Sequence, residues 1–160
     1  MQMTCEFYEQ GSVPDQAVMT RVGELVQQLI GVQAEYATSL FSKADLPKEV
    51  IDPYTHWNTG MGYAGVVLGI VRLGDVIVGT FRLFPSPVDK RLTNLCSVVV
   101  DQAFRNQGIG VYVVTMAENY ANQHGFEEVV IDYASNNLPA RGFWEYMGYI
   151  PRTVVCSKEV

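Results

Sequence analysis

The pattern of apolar and polar positions alternates between a period of two and a period near 3.6. Met3 to Glu9 reads as a first strand, and Val18, Val22, Leu25, Val26 and Leu29 then mark one face of a helix that Gly31 interrupts. Ser12 to Asp15 predicts its start, as a capping box with an acid in the glutamate position and Pro14 in the first turn. A second helix is expected from Val32 to about Phe41, with Val32, Tyr36, Leu40, Ala37 and Phe41 on one side. Residues 43–62 contain Pro47, Pro53 and Gly60 and predict no regular element. Tyr63 to Arg72 and Val76 to Phe84 form a hairpin pattern around Gly74-Asp75, closed by Pro85 and Pro87 before Leu92 opens a central strand.

The most informative stretch runs from Val98 to Gly125. Leu95 to Val100 is a β-branched run that reads as a buried strand, and Gly110, Val113, Val114, Ala117, Tyr120 and Ala121 form a helical face. His124-Gly125 suits the end of that helix, and Glu128 to Tyr133 gives the next strand. Between strand and helix lies Arg105-Asn106-Gln107-Gly108-Ile109-Gly110. Glycines there remove the Cβ atoms that hold a ligand off, and the free N–H groups of a helix's first turn carry about half a positive charge. A pyrophosphate fits such a place. No lysine follows for a P-loop, and Val113 stands where a dinucleotide fingerprint needs its third glycine, although Asp132 lies at the distance that fingerprint asks for.

Arg105, Gly108 and Gly110 satisfy RxxGxG in full. Downstream, Asn137, Ala140, Gly148 and Tyr149 match NxxAxxxYxxxGF, except that Trp144 occupies the tyrosine position. The two segments together resemble the coenzyme A signatures of the GNAT acyltransferase superfamily, in that family's order and separation, over residues 92–150. The resemblance implies an α/β fold whose central mixed sheet is flanked by helices, in the order β-α-α-β-β-β-α-β-α-β, ending in a strand near Thr153 to Lys158. One GNAT-like domain would span residues 1–160. The resemblance also implies acetyl-CoA as cofactor, held by the main chain of Val98, Val99 and Val100, by Arg105, Asn106, Gln107, Gly108, Ile109 and Gly110, and by Asn137, with Trp144 as either packing or a wall beside the pantetheine. The strand before the loop should carry a bulge and splay from the strand after the helix.

Composition limits the partners. Eleven bases against 17 acids give a net charge of −6, which argues against a nucleic-acid or anionic-membrane partner. Eight acids and three bases fall in residues 1–60, so the negative field belongs mostly to the first third. The three cysteines, Cys5, Cys96 and Cys156, each fall in an expected strand and show no metal or disulfide spacing. No apolar run approaches the roughly twenty residues of a membrane span, and the expectation is a soluble cytoplasmic protein, with homodimer formation left open.

Attack of an amine on a thioester must remove a proton from an ammonium of pKa about 10.4, stabilise an oxyanion and release a thiolate. Asp132 is the expected base, because an acid at the matching strand position serves relatives that acetylate peptide amines; the alternative is a solvated carboxylate or a partner for Arg141. Glu35, Glu49 and His56 are fallbacks. Trp144 donates a hydrogen bond but does not titrate, so the leaving thiolate would take its proton from Tyr133 or, on another helix face, Tyr146, or depart unaided. Glu35, Tyr54, His56 and Trp57 are the candidates for holding a cationic acceptor, small molecule or peptide. A coenzyme A-binding regulatory module without turnover is the other reading, and a dinucleotide oxidoreductase a distant third.

Overall fold

The structure is a computed structural model that describes residues 1–9, 11–12, 14–36, 65–154, 156 and 158. Five strands form one sheet in chain order: β1 (Met3–Tyr8), β2 (Val67–Leu73), β3 (Val76–Pro85), β4 (Leu92–Val100) and β5 (Glu128–Val130). Neighbouring strands are antiparallel up to β4, and β5 lies parallel to β4. A parallel pair needs a crossover, which is supplied by the segment containing helix α2 (Ile109–Gln123). Helices α1 (Gln16–Glu35) and α3 (Leu138–Tyr146) complete the described elements. This is the mixed α/β sheet expected from the sequence.

Each face of the sheet has its own core. On one side Val18, Met19, Val22, Leu25 and Val26 of α1 pack with Leu68, Ile70, Ile77 and Val99. On the other, Ile109, Val113, Val114, Ala117 and Tyr120 of α2 and Trp144 of α3 pack with Val67, Val71, Val78, Phe81, Leu83 and Leu95. The strict alternation of β2 between these clusters is the period-two pattern of a strand covered on both faces. Each such valine or leucine stabilises the fold by roughly 1.5–3 kcal/mol. Gly69 is required by this packing: it pairs with Phe81, and a Cβ there would sit 2.1 Å from the ring.

Several boundaries differ from expectation, each for a local reason. Helix α1 passes through Gly31 to Glu35, so no second helix begins at Val32; residues 37–41 of that expected helix lie outside the described residues. Glycine costs a helix about 1 kcal/mol relative to alanine, and the buried face preceding Gly31 outweighs that. The N-cap is Asp15, whose Oδ1 accepts the Val18 N–H at 2.9 Å, while the Ser12 hydroxyl donates to the Glu9 carbonyl at 3.2 Å. Strand β5 stops at Val130 instead of Tyr133. Thr153, Val154, Cys156 and Lys158 carry no strand, and Cys156 is exposed; a strand needs a paired edge, and none of the five described strands provides one there.

Candidate functional site

The site begins with a defect in β4. Thr80 faces Val99 and Arg82 faces Cys96, so Phe81 alone faces both Ser97 and Val98. Ser97 takes φ +52, a left-handed conformation that is uncommon outside glycine. This bulge reverses the alternation beyond it: Leu95, Val98 and Val100 lean toward α2, while Val99 lies in the α1 core. Strand β5 meets β4 only at Leu92, Thr93 and Asn94. Among the described residues, the edge of β4 at Val98, Val99 and Val100 that would face β5 is therefore without a strand partner, as the sequence resemblance implied.

At the end of this edge, Asp101 caps a short 3-10 turn, Gln102–Phe104, from which the glycine loop departs. Asn106 at φ +60 and Gly108 at φ +76 turn the chain into α2. Gly108 is the N-cap, and no side chain bonds the first-turn N–H groups there. Arg105, Asn106, Gln107 and Gly108 are exposed, whereas Ile109 is buried and anchors the helix start. The Arg105 Nε donates to the Val100 carbonyl at 3.2 Å, tying loop to strand. A Cβ on Gly110 would lie 3.4 Å from Phe143 and 4.0 Å from Val100, so this glycine sits where α2, β4 and α3 meet. The result is a helix start whose first-turn N–H groups have no side-chain cap among the described residues, at the positive end of a 15-residue helix and beside the β4 edge.

The remaining sequence candidates are distributed unevenly about this centre. Asn137 is the N-cap of α3, its Oδ1 accepting the Ala140 N–H at 3.1 Å, which leaves its amide NH2 to donate. Trp144 is in the core, edge-on to Phe143 (centroids 5.0 Å apart) and to Tyr149 (5.2 Å), which is the packing role. Tyr133 is half-buried against the α2 side, and Tyr146 is 76% exposed on α3. Asp132 is exposed just past β5. Burial pushes the Cys96 thiol up, the Asp132 carboxylate adds to this, and Arg82 opposes it, so Asp132 is close enough to be felt one residue before the bulge. Glu35 is exposed in the last turn of α1, whereas Tyr54, His56, Trp57 and Glu49 lie outside the described residues.

Two buried charges were not singled out from the sequence, Arg82 and Asp101, at 3% and 6% exposed. An arginine within the apolar run of β3 is a legible signal for the first; Asp101 reads only as a strand terminator. Among the described residues no group of three His, Cys, Asp or Glu side chains could hold a metal ion, and no helix is long and apolar enough to cross a membrane. The sheet, antiparallel but for one pair, lacks the repeated βαβ halves that a dinucleotide fold requires.

Residues 30–149 match the model of the acetyltransferase (GNAT) family. Among solved structures, the chain is similar to a GCN5-related N-acetyltransferase from Ralstonia eutropha (17% identity, 99% of each chain covered, TM-score 0.67). It is also similar to AAC(6')-Iy in complex with a CoA-S-monomethyl-acetylneamine bisubstrate analogue (12% identity, 100% of each chain, TM-score 0.69). A third is the aminoglycoside acetyltransferase meta-AAC0020 from an uncultured soil metagenomic sample, in complex with sisomicin (18% identity, 99% of this chain and 95% of that one, TM-score 0.63). No curated protein sequence matches the chain.

The contrast between Trp144 and Tyr146 is directly testable. Trp144→Ala should lower the unfolding free energy by about 3–5 kcal/mol in urea titrations. Tyr146→Ala should change it by less than about 0.5 kcal/mol. Similar small shifts for both would remove Trp144 from the core.

Proposed function

The chain belongs to the GNAT acetyltransferase family, and on that premise we propose that it transfers an acetyl group from acetyl-CoA to a primary amine of a small cationic molecule or peptide, by direct attack in a ternary complex. The observation that carries this reading is the unpaired β4 edge running into the uncapped start of α2. The main chain of Arg105 to Gly110 would hold the pyrophosphate with its N–H groups, and Val98 to Val100 would pair with the pantetheine arm. The Asn137 amide supplies a further donor from α3. Bound in this place, acetyl-CoA supplies an activated acyl thioester.

The protein's own task is then to hold the amine and remove its proton. An ammonium of pKa about 10.4 is almost wholly protonated at neutral pH, so a nearby acceptor of that proton raises the reactive fraction. Asp132 fills this role in the proposal, as the exposed acid just past β5 at the strand position where the family resemblance puts the base. Tyr133, half-buried in the same segment, is the donor to the leaving thiolate. Tyr146 faces solvent and is the weaker choice. A cationic acceptor is supported by the excess of acids in residues 1–60, by Glu35 at the end of α1, and by the aminoglycoside acetyltransferases among the similar folds. The free cysteines suit a reducing, cytoplasmic compartment.

Thiol release from acetyl-CoA, followed colorimetrically across polyamines, aminoglycosides, amino acids and short peptides, tests the reading. Release that depends on one amine class is expected; tight cofactor binding with no release across the panel would favour a regulatory role instead. Gly108→Asp places a carboxylate against the pyrophosphate in a conformation that glycine alone adopts readily, and should weaken coenzyme A binding more than tenfold in calorimetry. Unchanged affinity in the folded variant would refute the assignment of the loop. Asp132→Asn should reduce turnover about a hundredfold near neutral pH, with little change in cofactor affinity. The remaining rate should climb with pH as free amine accumulates, and a profile identical to that of the unaltered protein would retire Asp132 as base.

A further inference from the structure

Immediately before the glycine loop stands a carboxylate that is buried while its neighbours Gln102, Ala103 and Arg105 are exposed. Asp101 Oδ1 accepts the Ala103 N–H at 3.0 Å and the Gln28 amide at 3.4 Å, and Oδ2 is paired with Arg21. Its main chain is engaged as well: the N–H donates to the Val78 carbonyl at 2.8 Å, and the carbonyl accepts from Phe104 at 2.9 Å. Arg21 and Gln28 are seven residues apart, two turns on one face of α1. Both make a second contact. Arg21 Nε donates to the Ile77 carbonyl at 3.4 Å, and Gln28 Oε1 accepts the Gln102 N–H at 2.9 Å. Helix α1 thus grips the start of β3, the end of β4 and the first residue of the 3-10 turn through one polar knot. Burial alone pushes the Asp101 carboxyl up, but the bonds from Ala103, Arg21 and Gln28 more than reverse this, and the group is held ionised.

A knot of this kind is a poor device for stability alone. Desolvating the Asp101 carboxylate offsets much of what its attraction to the partly exposed Arg21 returns, and apolar side chains of similar volume often do as well. What the contacts on Asp101 do supply is direction: its carboxylate is held from three sides, by Ala103, Gln28 and Arg21. The loop that follows needs it: between Asp101 and the buried Ile109 the chain is exposed, with left-handed turns at Asn106 and Gly108. Its departure point and direction are fixed at Asp101.

We propose that Asp101, clamped by Arg21 and Gln28 of α1, is a positioning residue that aims the first-turn N–H groups of α2 at the cofactor's pyrophosphate. The proposal rests on the reading of the loop as the coenzyme A site. It has a charge signature. With Arg21 removed, the Asp101 carboxylate at the base of the loop loses its counter-charge, whereas neutralising both partners together removes the unpaired charge and keeps a polar contact.

Calorimetric titration with coenzyme A and steady-state kinetics test it together. Arg21→Gln and Asp101→Asn should each raise the Kd for coenzyme A and the KM for acetyl-CoA about five- to tenfold, with kcat and the acceptor KM little changed. The double variant Arg21→Gln/Asp101→Asn should bind better than Arg21→Gln alone. Glu24→Gln, which breaks only the exposed second pair of Arg21, should leave all four quantities as they are. Gln28→Ala, which leaves the ion pair in place, should raise Kd in the same direction and provides a measurement if the charge variants fail to fold. Binding by the unaltered chain together with unchanged Kd in the folded variants would overturn the clamp alone. Absence of coenzyme A binding by the unaltered chain would overturn the site reading, and the clamp with it.

Discussion

β4 and β5 have parted before the chain turns left-handed at Ser97, and the candidate site is arranged around that parting. The two strands share three residue pairs and then separate. A backbone N–H or C=O left unbonded away from water costs about 1–3 kcal/mol, so the groups on the β4 edge at Val98 to Val100 need partners; the Val100 carbonyl accepts from the Arg105 Nε, and in the proposed function the pantetheine amides would serve the others. The bulge also turns Val99 into the α1 core and Val98 and Val100 toward α2, so the same three residues that present the open edge are fixed by packing on both faces. In the proposed function, an edge held this firmly would receive the cofactor with little rearrangement.

The helix that follows completes it. Gly108 leaves the start of α2 without a side-chain cap, where serine, threonine or aspartate would have satisfied the N–H groups internally. The chain carries a net charge of −6 and yet presents a locally positive end to an anion. These statements are compatible because charges are screened beyond about 8 Å at physiological ionic strength, while the helix end and Arg105 act at contact range. In the proposed function the acid excess of residues 1–60 would serve a cationic acceptor, while the helix end would serve the polyanionic cofactor.

What could be read from the sequence was what local chemistry determines. The face of α2, the turn at Gly74-Asp75, the cap at Gly125 and the exposed glycine loop follow from periodicity and from residues with particular backbone freedom. The bulge at Ser97 was anticipated only through family resemblance, since a serine in a valine run gives no local sign of a positive φ. Gly31 was over-weighted, because tertiary burial carries α1 past a residue that would end an isolated helix. The apolar pattern of β5 continues to Tyr133, but its pairing with β4 ends at Asn94↔Val130, and the strand stops there. Asp101 is the clearest omission. Its residue type suggests a solvated strand end, and its burial depends on Arg21 and Gln28, more than seventy residues earlier in the chain.

In the proposed function, the parted edge of β4 and the start of α2 form one continuous cofactor surface. Backbone amide shifts of the nitrogen-labelled protein during titration with coenzyme A test it most directly. The largest shifts should fall together at Val98 to Val100 and at Gly108 to Val111, with β1 and the β2–β3 turn unmoved. Saturable binding whose shifts lie elsewhere, or at the loop without the strand, would contradict the account.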